Sequence, residues 1–150
     1  MEITPWIRSW EPDVEVLEPD CLRVEFVCIK AVLPSMIERR YGHIINISSA
    51  ATLIINVPFT GLAYDVCKAG INRLTWGLAG KIKGHNIAIN VLVPRNATSE
   101  GWVYLHPDDD KAQWQTPEFW GRIATFAATR EPAIFTRRLL TTEDVDQEMA

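Results

Sequence analysis

The run HIINIS, residues 43–48, decides the fold class of this chain. It follows Gly42, and three of its six residues are isoleucine. Short β-branched runs of this kind are typical of parallel strands that are covered on both faces. A second run, IAINVLV at residues 87–93, ends at Pro94. Together the two runs predict two buried strands of one parallel sheet.

Two segments with helical periodicity accompany these strands. Apolar residues recur at spacings of three and four over residues 22–36, which predicts a helix that ends near the charged segment ERRYG. Pro34 is expected to kink this helix or to mark its last turns. A second helix is predicted over residues 63–82, closing at Gly84. The order helix, strand, helix, strand indicates βαβ crossovers, and therefore an α/β fold with a parallel sheet.

The two ends of the chain have less regular patterns. Residues 1–20 contain three prolines and no clear period, which predicts an irregular lead-in. The core is expected within residues 21–94, and the whole chain, residues 1–150, is expected to form a single domain because it has no internal repeat and no low-complexity tract.

The last third contributes one clear helix signal. Residues 95–115 are predicted to form a polar loop. Thr116 is a candidate N-cap for a helix that runs over residues 117–129. The run AIFTRRLL, residues 133–140, is a candidate for one more strand, and residues 141–150 form an acidic tail.

Composition excludes several classes of function. The net charge of −4 is mild and the basic residues are scattered, which argues against binding to nucleic acid. Acidic residues and prolines occupy the N-terminal segment where a secretory signal would have an apolar core. The chain also lacks about 18 uninterrupted apolar residues, the length of a membrane span. We therefore expect a soluble, cytoplasmic protein.

No metal or disulfide framework is predicted. The three cysteines, Cys21, Cys28 and Cys67, have neither CxxC nor Cys/His ligand spacing, and we interpret them as buried thiols. The histidines lack ligand spacing as well. They are predicted to be surface residues: His43, His85 and His106.

The segment YDVCKAG places Tyr64 and Lys68 four residues apart in the second predicted helix. Residues at this spacing share one helix face, so the phenol and the ammonium can interact. A nearby ammonium favours the phenolate form of a tyrosine, which can then exchange a proton with an alcohol. The alternative is an ordinary aromatic and lysine on a helix surface.

The surrounding sequence is similar to a known family. KAVLPSMIERRYGHIINISSAA, residues 30–51, followed by AYDVCKAGINRLTWGLAGKIKGHNIAINVLVP, residues 63–94, resembles the central and C-terminal part of a short-chain dehydrogenase/reductase. The similarity runs from about residue 21 to residue 94, with a looser match through PEFWGRIATFAA and FTRRLL. The resemblance rests on the coincidence of the IINISS strand, the Tyr-x-x-x-Lys helix and the NVLVP strand in the order of the family.

This resemblance implies the C-terminal half of a doubly wound, Rossmann-type sheet. It also implies NAD- or NADP-dependent interconversion of a small alcohol and its carbonyl, with Ser49, Tyr64 and Lys68 as catalytic residues. Ser49 is preferred to Ser48 because it aligns with the serine of the family. Tyr64, Lys68 and Pro94 would contact the cofactor, Lys68 through the nicotinamide ribose, and no metal is implied.

The chain departs from the family pattern in its first part. The first glycine is Gly42, so residues 1–41 cannot contain the glycine-rich turn that holds a dinucleotide pyrophosphate. Cys21 stands where the family usually has an asparagine, and Val24 where a glycine is common. After the second strand, PRN at residues 94–96 replaces the usual Pro-Gly, so that Arg95 stands at the glycine position. We therefore expect a truncated domain that is inactive as an isolated chain. The alternatives are a cofactor-less pseudoenzyme, acting as a binding or regulatory paralogue, and a relic that barely folds.

Family members commonly pair their two long helices across a subunit interface. Residues 22–37 and 63–82 have the apolar faces that such pairing needs. A homo-oligomer through these two helices is therefore predicted.

Overall fold

The computed structural model of the chain describes residues 20–53, 61–112 and 114–144. Its three strands form one parallel sheet in the order β1-β2-β3. The elements are α1 (Asp20–Arg39), β1 (Gly42–Ile47), a 3₁₀ turn (Ala50–Leu53), α2 (Leu62–Lys81), β2 (Ile87–Leu92), α3 (Glu100–Leu105), α4 (Pro117–Ala128) and β3 (Leu139–Leu140). The predictions of an α/β fold and of a parallel sheet are confirmed.

Helices cover both faces of the sheet, and β2 lies at its centre with all six residues buried. On one face, α1 and α2 pack against the strands through a cluster that includes Ile29, Ile44 and Ile89. On the other face, α4 packs through Ile123 against a cluster that includes Leu92. Burial of this apolar surface is the main favourable contribution to folding. The arrangement is that of a partial doubly wound fold.

Both long helices have the extents predicted from their periodicity. Pro34 lies inside α1, which continues beyond it to Arg39. The chain leaves α2 through Gly84, which has a φ of +93°. Only glycine adopts this conformation without steric strain, so Gly84 supplies the stop that the sequence indicated.

Two predictions for the last third are corrected. The predicted loop over residues 95–115 contains α3, whose first turn is capped by Ser99 Oγ accepting from the Trp102 amide at 3.2 Å. Its six residues are too few for a periodic signal. Of the candidate strand at residues 133–140, only Leu139 and Leu140 pair with β2, because the segment before them turns, with Arg137 at a φ of +64°. The predicted lead-in up to residue 19 and the tail from residue 145 lie outside the described residues.

The assignments of Cys28, Cys67 and His43 were wrong. Cys28 is exposed, because the periodicity that buries Ile29 turns residue 28 outward, and Cys67 is half-buried. His43 was expected on the surface, but both of its ring nitrogens are buried and have no hydrogen-bond partner among the described residues. Its ring packs edge-on against Tyr41, with the centroids 5.5 Å apart.

Candidate active site

Two of the predicted site residues lie just beyond the carboxyl ends of neighbouring strands. Ser49 follows β1, and Pro94 follows β2. The Ser48 amide donates to the Leu92 carbonyl oxygen at 2.8 Å, which extends the pairing of the two strands by one residue. The Ala50 amide then donates to the carbonyl oxygen of Pro94 at 2.9 Å. Ser49 is buried beside this contact, and its Oγ accepts from the Ala51 amide at 3.2 Å. In open α/β sheets, ligands bind at this edge.

Tyr64 and Lys68 lie in the first two turns of α2, on the same face of the helix. Lys68 Nζ stands 5.7 Å from the centroid of the Tyr64 ring. The interaction that the four-residue spacing predicted is therefore present, since a cation within about 6 Å of an aromatic centroid is attracted to the ring.

Lys68 is tied to the end of β1 by both its side chain and its backbone. Its Nζ donates to the Ile47 carbonyl oxygen at 2.9 Å. Ser48 Oγ donates to the Lys68 carbonyl oxygen at 3.1 Å. Lys68 is thus hydrogen-bonded directly to Ser48. Ser49 has no such bond to Pro94, which is instead hydrogen-bonded to the next residue, Ala50. The hydroxyl of Ser48 serves to dock α2 on the strand.

Two separate sets of polar contacts that the sequence reasoning missed, one buried and one partly buried, hold α2 in this position. Asn46 Nδ2 donates to Thr75 Oγ1, and Asn72 Nδ2 donates to Thr52 Oγ1, both at 2.9 Å. Thr52 Oγ1 in turn donates to the Ser49 carbonyl oxygen at 2.8 Å. The signal in the sequence was an asparagine within an isoleucine run and two polar residues on an otherwise apolar helix face. Buried polar groups of this kind are retained where they have partners.

Glu25 of α1 is a second residue that the sequence reasoning missed. Burial raises the pKa of Glu25 above its ordinary value, while the Lys68 ammonium and a backbone hydrogen-bonding interaction with Ile47 act in the opposite direction. Glu25 is half-buried, and the charge of Lys68 acts on its carboxyl group. Its position in the sequence carried no signal, because one carboxylate on a helix is usually solvated.

A small cavity adjoins the strand ends. It has a volume of about 120 Å³ and is lined in part by Ala50, Val93 and the exposed Arg95. Typical small-molecule sites measure about 300–1,000 Å³. This cavity is therefore smaller than a typical small-molecule site, and its lining includes none of Ser49, Tyr64 and Lys68.

Two further classes of site were searched for within the described ranges. In them, no three residues among the histidines, cysteines, aspartates and glutamates are grouped so that they could hold a metal ion. Of the helices described, none combines the length and the apolar character needed to cross a membrane.

Comparison with known proteins agrees with this geometry. The family described as short chain dehydrogenase matches residues 22–109. The 2-keto-3-deoxy-L-fuconate dehydrogenase of Xanthomonas campestris is 35% identical over 114 residues, which cover 74% of this chain and 35% of that protein. The galactitol 2-dehydrogenase of Rhizobium johnstonii is 33% identical over 94 residues, which cover 58% of this chain and 37% of that protein.

Solved structures share the fold. A 3-oxoacyl-[acyl-carrier protein] reductase of Brucella melitensis with bound NAD superposes with a TM-score of 0.70 at 24% identity. The superposition covers 94% of this chain and 52% of that protein.

The chain thus spans between a third and a little over a half of the length of these proteins. The matched segment, residues 22–109, includes α1 from residue 22 onward, the whole of α2, both β1 and β2, and the predicted site residues. It covers more than half of the chain. The chain belongs to the short-chain dehydrogenase/reductase family.

Proposed function

We propose that the protein is an NAD- or NADP-dependent oxidoreductase that interconverts a small alcohol and its carbonyl, in the cytoplasm. The observation that carries the proposal is the placement of the Tyr64 and Lys68 pair beside the carboxyl end of β1, where Ser49 also lies. Parallel α/β sheets bind their ligands at this edge. The proposed catalytic residues are Ser49, Tyr64 and Lys68.

The proposed roles follow from the chemistry of each side chain. The phenol of Tyr64 takes the proton of the substrate hydroxyl during oxidation and returns it during reduction. The Lys68 ammonium supports the phenolate by its charge. The hydroxyl of Ser49 orients the substrate oxygen. A nicotinamide, when bound, supplies the acceptor or donor of hydride.

Tyr64, Lys68 and Pro94 are proposed to contact the cofactor, and Lys68 is proposed to donate a hydrogen bond to the nicotinamide ribose. A fold neighbour whose structure contains NAD and family relatives named as dehydrogenases support this class of cofactor. The substrate is proposed to be a small alcohol or carbonyl, as those names suggest.

A second candidate is a cofactor-less paralogue that binds or regulates. One observation favours it. The Lys68 ammonium is already engaged by the Ile47 carbonyl oxygen at 2.9 Å.

Titration of the chain with NADH and NADPH separates the two candidates. Oxidoreductase function requires saturable binding of one of them, together with reduction of NAD or NADP in the presence of an alcohol such as galactitol. A chain that binds neither nucleotide contradicts the oxidoreductase proposal and supports the paralogue.

Substitution of Tyr64 tests the proposed proton transfer. Tyr64→Phe should lower the turnover rate by about 10²–10⁴-fold, because the general acid–base group is lost. The control is Tyr104→Phe, at a tyrosine of α3 that is 83% exposed. Equal turnover of the two variants would contradict the role proposed for Tyr64.

A homo-oligomer is also proposed, through α1 and α2. These helices form an open apolar groove of about 820 Å³ whose lining includes Leu22, Phe26, Leu74 and Leu78. The Phe26 side chain is 56% exposed. An apolar surface of this kind is typical of a protein–protein contact.

A further inference from the structure

The groove between α1 and α2 has the size of a site for a small ligand. Its volume of about 820 Å³ lies within the range of about 300–1,000 Å³ that is typical of such sites. On α2 the lining extends from Gly70 to Lys81, which is about 16 Å along the helix axis. Apolar side chains of both helices line it: Leu22, Phe26, Leu74 and Leu78. The groove can therefore take an elongated apolar group.

Gly77 keeps the middle of this groove open. Apart from the backbone of its own helix, the only described atom within 4 Å of a Cβ built at this position is Arg73 Nη1, at 3.9 Å. The space that a side chain at residue 77 would fill is therefore free for a ligand. The Arg73 guanidinium lies at the border of that space.

The charged residues in the lining are all basic. Arg73 and Lys81 contribute two exposed positive charges from α2, and Arg23 is the charged residue that α1 contributes. None of the described lining residues is acidic, although the whole chain has a net charge of −4. The groove thus combines apolar surface with positive charge, which matches a ligand that has an apolar chain and an anionic head group.

We propose that this groove binds a medium-chain fatty acid anion. The acyl chain lies between α1 and α2, and the carboxylate pairs with the basic residues of α2. Removal of the acyl chain from water supplies most of the binding free energy, and the charge pair selects an anion over a cation. This site goes beyond the proposed oxidoreductase function and requires neither NAD nor NADP.

Binding of the fatty acid also bears on the proposed homo-oligomer. A second copy of the chain brings the same basic lining to the contact, so the groove residues of the two copies offer each other no opposite charge. A carboxylate supplies that charge. Because the fatty acid and the second copy occupy the same surface, fatty acid binding favours the monomer.

Isothermal titration calorimetry of the chain with dodecanoate, below its micellar concentration, tests the site. Saturable binding is expected, and dodecylammonium, which has the same chain length and the opposite charge, should bind more weakly. The double variant Arg73→Gln, Lys81→Gln should weaken dodecanoate binding by about 3–10-fold, because it removes two exposed charges.

The matched control for charge is the double variant Lys30→Gln, Lys83→Gln. It removes two exposed positive charges outside the groove and should bind dodecanoate as the wild type does. The proposal is overturned if dodecanoate does not bind, if it binds no more tightly than dodecylammonium, or if the two double variants bind it equally.

Filling the groove tests the site without changing its charge. Gly77→Leu places an isobutyl group in the open space, and the variant should fold because leucine is a better helix former than glycine. It should abolish saturable binding of dodecanoate. The matched control is Gly80→Leu, outside the lining on the same helix, where a Cβ meets no atom within 4 Å. Wild-type affinity in Gly77→Leu would place the ligand elsewhere and overturn the proposal.

Sedimentation separates this inference from the proposed homo-oligomer. Saturating dodecanoate should convert a wild-type oligomer to the monomer, and an oligomer that persists with dodecanoate bound overturns the competition. A chain that is monomeric without ligand, and that binds dodecanoate in a manner sensitive to Gly77→Leu, supports the fatty acid site and contradicts only the homo-oligomer.

Discussion

Thr75 lies within α2, and its hydroxyl is the partner of a buried amide on β1. It is fully buried, and Asn46, which donates to it at 2.9 Å, is 2% exposed. The two side chains fix the register of the helix on the strand that leads to Ser49. A buried amide that loses its acceptor pays the cost of desolvation without compensation.

Thr75→Val should therefore lower the free energy of unfolding by about 1–3 kcal/mol, because it leaves Asn46 Nδ2 without this acceptor. Denaturant unfolding followed by circular dichroism measures the loss. Thr129→Val, at an exposed threonine after α4, is the control. A Thr75→Val variant as stable as this control would show that the hydrogen bond contributes nothing to stability.

His43 predicts a dependence of stability on pH. Burial lowers the pKa of His43 from its ordinary value of 6.5, and the nearby Glu131 carboxylate opposes this shift. The unfolded chain therefore binds a proton at His43 at a higher pH than the folded chain does. The contribution of His43 to the free energy of unfolding is fully present above pH 6.5. It is lost as the pH falls from 6.5 toward the lower pKa that His43 has in the folded chain.

Replacement of the imidazole should weaken this dependence. His43→Gln should lose less unfolding free energy than the wild type between neutral pH and about pH 5, as measured by denaturant titration at each pH. The control His85→Gln should behave as the wild type does. Equal pH dependence in His43→Gln and the wild type would assign the effect to other groups.

At the scale of elements, α4 is the helix that covers the face of the sheet opposite α1 and α2. Its Trp120, Ile123 and Ala127 are buried in the core. Its first turn is capped by Thr116 Oγ1, which accepts from the Phe119 amide at 3.3 Å. The cap at Thr116, which the sequence predicted, stabilises the first turn of the helix that buries this face of the sheet.

Thr116→Ala should destabilise the fold by about 0.5–2 kcal/mol, because the cap satisfies an amide that the helix leaves unpaired. Thermal unfolding measures the change. Thr125→Ala, at an exposed position inside the same helix, is the matched control. A loss of the same size in both variants would argue against a capping contribution.

Some elements could be predicted from the periodicity of the sequence and others could not, and the difference has a physical cause. Both long helices and both main strands show their periodicity in the sequence because burial on one or two sides imposes it. The six-residue α3 and the two-residue β3 contain too few residues to show a period. Leu139 and Leu140 form a strand because β2 offers an unpaired edge, which is a property of the assembled sheet.

At the scale of the whole molecule, the groove between α1 and α2 predicts association. Sedimentation of the wild-type chain should give a homo-oligomer, and Phe26→Glu should shift it to the monomer by placing a charge in the apolar groove. Ile134→Glu, at a residue that is 77% exposed outside the groove, is the control. A monomeric wild type would contradict the proposed interface.

The sequence by itself determined the α/β class, the parallel pairing of β1 with β2, the family, and the shared face of Tyr64 and Lys68. The fold class, the strand pairing and the shared helix face follow from local spacing, which is set by the geometry of one helix or one strand. The family, and with it the residues proposed for the chemistry, follow from the resemblance of residues 21–94 to that family.

Only the tertiary structure decided what surrounds those residues. It brought Lys68 Nζ to the carbonyl oxygen of Ile47, 21 positions earlier in the chain, and it buried the ring nitrogens of His43. It also assigned Ser48 to the docking of α2. Contacts between distant segments depend on how helices pack across a sheet, and no spacing within a single element records that packing.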